Sequence, residues 1–101
     1  MREKWFLPGA DAELMRAITW HATKRPGLEE EFIAEVEEAV QRALRAPESG
    51  SPHLFGTRRM LVNRFHYDLV YVLREPRVLI VAVAHQRRRP GYWRGRLKDI
   101  Q

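Results

Sequence analysis

Between His85 and Arg94 the chain gathers His85, Arg87, Arg88, Arg89, Tyr92, Trp93 and Arg94 into one short stretch. That set suits chemistry at a phosphate. Cleaving RNA without a metal needs help for the 2′-hydroxyl nucleophile, positive charge on the phosphate, and a proton for the leaving oxygen. A histidine and a tyrosine answer the first and third needs, and arginines the second. His85, Tyr92 and Arg87 are the candidate catalytic groups. Arg88 stands beside them, and Arg58, Arg59 and Arg64 from a neighbouring strand would complete a basic site. Convergence of these groups would push His85 towards its neutral form, which suits a base. The same residues also read as a surface that binds an acidic or phosphate-bearing partner, with no catalytic group needed.

Each residue has a plainer account. His85 ends an apolar strand and reads first as a structural hydrogen-bond partner. Trp5, Trp20 and Trp93 read as packing residues, and Tyr67 and Tyr71 share a strand face that suits a core. His21, His53 and His66 lack metal-ligand spacing, so no metal and no cofactor is expected. The chain has no cysteine, which excludes disulfides, thiol nucleophiles and thiolate metal sites.

Charge is divided along the chain. Residues 1–50 carry 7 basic and 10 acidic side chains, and residues 51–101 carry 11 basic and 3 acidic, which gives −3 and +8 and sums to the net +5. One basic half presents a positive field to phosphates or to an acidic protein. With 101 residues, 45% hydrophobic and 31% charged, the chain suits a single domain spanning 1–101. No apolar run approaches the ~20 residues of a membrane span. The N-terminus lacks the apolar region of a secretory signal, so a cytoplasmic location is expected.

The elements that must position these residues can be read from periodicity. Residues 3–7 suit a short first strand, broken by Pro8-Gly9. Ala10 to about Lys24 suits a helix with Met15, Ile18 and Ala22 on its apolar face, Leu14, Ala17 and His21 beside them, and Asp11 and Glu13 in the first turn, where the dipole favours anions. Arg25-Pro26-Gly27 ends it. A second helix runs from about Leu28 to Arg45, with Phe32, Val36, Ala39 and Ala43 inward, Glu29–Glu31 opening it and Arg42 and Arg45 closing it. Ala46 to Gly56 is rich in Pro, Gly and Ser and reads as a linker. The period then changes to two: strands are expected over Met60–Phe65, Tyr67–Arg74 and Arg77–His85. The last is apolar on both faces, the mark of a central strand. Gln86 to Gln101 suits a strand end or a tail. The expected architecture is α+β, a helical hairpin packed on one face of an antiparallel sheet.

The run Ala82-Val83-Ala84-His85-Gln86-Arg87-Arg88-Arg89-Pro90-Gly91-Tyr92-Trp93-Arg94 resembles the ParE/RelE superfamily of bacterial toxins. So do Trp20, Arg25-Pro26-Gly27-Leu28 and Phe65-His66-Tyr67-Asp68-Leu69-Val70-Tyr71. The resemblance spans Trp5 to Arg96. It implies a β-α-α-β-β-β order, the toxin of a type II toxin–antitoxin module, a cognate antitoxin, and one of two targets. ParE-like members block DNA gyrase, and RelE-like members cut mRNA on the ribosome. RelE-like ribonucleases usually carry an arginine just before the Leu-Val-Tyr of the third strand. In this chain that position is Asp68, whose carboxylate would repel a phosphate. A pairing of Asp68 with Arg64 is the alternative use. The shortage of lysine points the same way. The expectation is a ParE-like toxin acting on DNA gyrase, with a metal-independent endoribonuclease as the alternative. The target- and antitoxin-binding set is Arg58, Arg59, Arg64, Arg87, Arg88, Arg89, Tyr92, Trp93 and Arg94.

Overall fold

A computed structural model describes residues 1–100. The elements run β1 (Glu3–Phe6), α1 (Pro8–Lys24), α2 (Leu28–Arg45), β2 (Ser51–Pro52), β3 (Arg58–Val62), β4 (Tyr67–Arg74) and β5 (Arg77–His85), and end in 3-10 turns over Arg94–Ile100. The sheet order is β1-β5-β4-β3-β2. Strands β2 to β5 pair antiparallel, as the short turns between them require. The first strand departs from that pattern. It lies parallel to β5, Glu3 opposite Arg77 through Phe6 opposite Ile80. The intervening helices and strands supply the long connection that a parallel pair needs.

The helical hairpin covers one face. Gly27 makes the break between helices possible, because its φ of 88° lies in the left-handed region that side chains resist. Phe32, Val36, Ala39, Val40 and Ala43 bury one stripe of α2 against Met60, Val62, Leu69, Tyr71, Val78 and Ile80. Arg42 fixes the helix to the sheet by donating to the Leu61 carbonyl at 3.0 Å. The α1 face is rotated from the expected one. Met15 is 56% exposed, and the buried positions are Ala10, Glu13, Ala17 and His21. Ala17 and His21 border the expected face, whereas the charged Glu13 escapes hydrophobic spacing.

Two other expectations shift. Strand β3 begins two residues earlier than the alternation suggested and ends three earlier, because 63–66 form the turn into β4. Within that turn Arg64 and His66 take left-handed backbones, φ 76° and 56°. The proposed linker contains two 3-10 turns and β2, and it is anchored by Tyr71, whose hydroxyl donates to Pro47 O at 2.5 Å and accepts from Gly50 N at 3.1 Å.

The C-terminal segment is neither a strand end nor a free tail. It folds back over the second face of the sheet, where Trp93 packs with Val70, Val72, Val81, Ala82 and Ala84. This is why β5 is apolar on both sides: helices cover one face and the terminal turns the other. Of the three tryptophans expected to pack, Trp93 alone is buried; Trp5 and Trp20 are about half exposed.

Candidate functional site

Beyond Leu7, whose N–H reaches Ile80 O at 2.9 Å, β1 no longer pairs with β5. Side chains take over the exposed ladder. Glu13 Oε1 accepts from Val83 N at 3.0 Å, and Arg96 Nη1 donates to Val81 O at 2.9 Å. The two side chains join each other, Arg96 Nη1 to Glu13 Oε1 at 2.9 Å and Nη2 to Oε2 at 3.1 Å. Tyr92 donates its hydroxyl to Glu13 Oε2 at 2.5 Å, and Arg88 stands 3.9 Å from the same oxygen. Glu13 is 6% exposed, and a carboxylate that buried persists only when paired and hydrogen-bonded. Burial, then the bond to Glu13, push the Tyr92 phenol well above its ordinary pKa. The same carboxylate raises that of Arg96. Neither Glu13 nor Arg96 was singled out by sequence. A charge inside an otherwise apolar helical face was the available signal.

Of the residues expected to converge, His85, Arg88 and Tyr92 border two cavities, while Arg64 lines only the first and Arg59 and Arg89 only the second. On the helix side, Arg64, His85, Arg88 and Tyr92 line a groove of about 540 Å³ between α1, the β3–β4 turn and the end of β5. His85 meets Tyr67 edge-on, ring centroids 5.0 Å apart. Its Nδ1 accepts the Arg87 backbone N–H at 3.1 Å, so the neutral ring carries its proton on Nε2. Burial, followed by the charges of Arg87, His66 and His21, lowers its pKa. The neutral form expected from sequence is the form this environment favours.

Towards the opposite side, His53, Arg59, Asp68, His85, Arg88 and Tyr92 border a shallow cleft over Trp93, with Gln86 and Arg89 at its edge. Asp68 pairs with Arg59 at 3.7 Å and accepts from Gln86 at 3.2 Å. The suggested pairing with Arg64 is not made. Arg64 lies on the other side of the sheet and binds Glu31 of α2 at 2.7 Å, with Glu35 at 3.9 Å. Together with Arg25 it holds the Glu31 carboxyl below its ordinary pKa. Arg58 is turned to the Glu48 and Gly50 carbonyls, away from both clusters. Arg94 lies over the ring of Phe55, 4.5 Å from its centroid, and Arg88 over Tyr92 at 3.8 Å. Trp93, 2% exposed, offers no surface to a partner. The side chains of Arg87, Arg89 and Arg94 remain exposed, forming a cationic rim beside the half-exposed Phe55.

Among the described residues no group of three His, Cys, Asp or Glu side chains could hold a metal, and no helix is long and apolar enough to cross a membrane. The groove and the cleft can bind anions and stack rings. His85, Arg88 and Tyr92 line both, joined by Arg64 in the groove and by Arg59 and Arg89 in the cleft.

A two-helix layer on one face of this sheet, with basic terminal turns on the other, defines a small two-layered α+β fold. The family model described as the ParE toxin of the type II toxin-antitoxin system, parDE, matches residues 6–90, and the chain belongs to that family. A solved structure described as the chromosomal ParDE TA system from P. aeruginosa is similar in fold: TM-score 0.72 at 13% identity, covering 84% of this chain and 96% of that one. No curated protein matches the chain in sequence.

Proposed function

We propose that this toxin acts by attachment rather than catalysis, that its target is DNA gyrase, and that a cognate antitoxin neutralises it by covering its basic surface. The observation that carries the proposal is the commitment of Tyr92 to Glu13. A general acid must release its proton near the operating pH, and a phenol held by a buried carboxylate with a raised pKa is poorly suited to that. The candidate base fares no better. His85 Nδ1 already accepts the Arg87 backbone N–H, and the cleft that His85 shares with Arg59 also holds the Asp68 carboxylate. Asp68 also stands where a ribonuclease of the resembling kind carries an arginine. Binding needs none of this geometry. It needs exposed cations with aromatic neighbours on a rigid support, which Arg87, Arg89, Arg94 and Phe55 supply.

The decisive experiment runs purified protein in parallel on gyrase supercoiling and on translating ribosomes. Inhibition of supercoiling, with mRNA left intact, is the expected result, and it should weaken in an Arg87→Ala, Arg89→Ala, Arg94→Ala variant. Cut mRNA bearing a 2′,3′-cyclic phosphate, with supercoiling unaffected, would make the protein a ribonuclease instead.

A further inference from the structure

We infer that the groove between α1 and the β3–β4 turn is a binding site for an unpaired nucleotide of single-stranded DNA. Attachment through the cationic rim does not use this groove. At about 540 Å³ it falls in the size range of small-ligand sites, and seven of its fourteen lining residues carry a ring. Phe65 and Tyr67 line it and adjoin the buried His21, at centroid distances of 5.2 and 5.9 Å. Trp20, 53% exposed, stands on its α1 side. Arg16, Arg64 and Arg88 line it as well. Its one carboxylate, Glu13, is already satisfied by Arg96, Tyr92 and the Val83 amide.

Rings beside guanidiniums match a nucleotide in both its parts. The base has a π-face that stacks on any aromatic side chain, and the phosphate meets the exposed Arg16, while Arg64 and Arg88 already lie beside Glu31 and Glu13. His85 adds a neutral Nε2–H donor at the edge. An aliphatic peptide would offer the exposed Arg16 no counter-charge. A duplex hides its base faces in its own stack, so an unpaired strand is the occupant the groove fits. The choice of DNA over RNA rests on the gyrase reading; affinity for an unpaired nucleotide does not.

The test uses the whole protein and a fluorescein-labelled ten-nucleotide oligo-dT, followed by anisotropy at low salt. Trp20→Ala and Arg16→Ala alter exposed positions of α1 and leave the fold in place. Each should weaken binding about tenfold. Arg77→Ala, at the opposite end of β5, should leave it unchanged, and a duplex of equal length should bind more weakly. Failure of oligo-dT to bind overturns the inference. So does equal loss from all three variants, which would mean diffuse surface charge. Preference for oligo-rU over oligo-dT overturns the assignment to DNA. Oligo-dT binding that survives while gyrase inhibition is absent sinks the target reading and leaves the groove standing; gyrase inhibition without oligo-dT binding does the reverse.

Discussion

Tyr92 donates its phenolic hydrogen to the Glu13 carboxylate across 2.5 Å, joining residues 79 positions apart. Through that carboxylate and Arg96 the terminal turns are tied to α1 and to the unpaired edge of β5. The basic rim is therefore held in place by a buried charge pair as well as by Trp93.

Removing the carboxylate should be severe. Glu13→Ala leaves Arg96 without its counter-charge, strips the Val83 amide of its acceptor and frees Tyr92. Breaking a buried pair in this way costs about 3–5 kcal/mol. For a domain of this size that lowers Tm by at least about 12 °C, taking about 4 °C per kcal/mol. Thermal unfolding measures it, and a Tm within a few degrees of the parent would show that the network contributes little.

Tyr92→Phe should be milder. Glu13 keeps Arg96 and the Val83 amide and loses one charge-assisted hydrogen bond, about 1.5–3 kcal/mol. Gyrase inhibition should survive in this variant, because the hydroxyl is turned inward. Complete loss of inhibition at unchanged stability would make the Tyr92 hydroxyl a direct contact with the target, and the rim alone would no longer account for attachment.

Gly50→Ala tests the connection between α2 and β3. A Cβ there would lie 2.9 Å from the Arg59 carbonyl and closer still to the Tyr71 hydroxyl, so the bonds of Tyr71 to Pro47 and Gly50 cannot persist. Leaving those buried groups unsatisfied costs about 1–3 kcal/mol each. A denaturant midpoint equal to the parent's would show that the segment yields freely.

Stability should fall with acid before the carboxylates titrate. Burial and then positive neighbours lower the folded pKa of His85 below 6.5, and burial followed by Arg59 does the same for His53. Unfolded, both rings take up protons near 6.5; folded, they resist. The unfolded state therefore binds more protons in that window, and stability rises with pH there. It is fully present above the unfolded value and lost as pH falls through the lowered folded values. Denaturant midpoints between about pH 7 and about pH 5 should decline, and His85→Asn should flatten the decline. A flat profile for the parent would contradict the burial of both rings.

Much of the architecture was legible in the residues. The bounds of α2, β4 and β5 follow from apolar spacing and from Gly27 and Pro76, because period and breakers are local properties. The unbroken apolar run Val78–Ala84 within β5 implied cover on both faces, though not what supplied it. That question, like the parallel pairing of β1, depends on contacts between distant segments, which no local pattern records. The candidate site was legible only as a list. Sequence placed histidine, arginines and aromatic rings near one end of β5. Strand β3 then sent Arg59 to one side, the left-handed turn after it carried Arg64 to the other, and Trp93 turned inward. The residue that organises the terminal turns, Glu13, looks from sequence like an ordinary acid near a helix start. Only the fold brings Arg96 to it, and only with that partner can a carboxylate remain charged out of water.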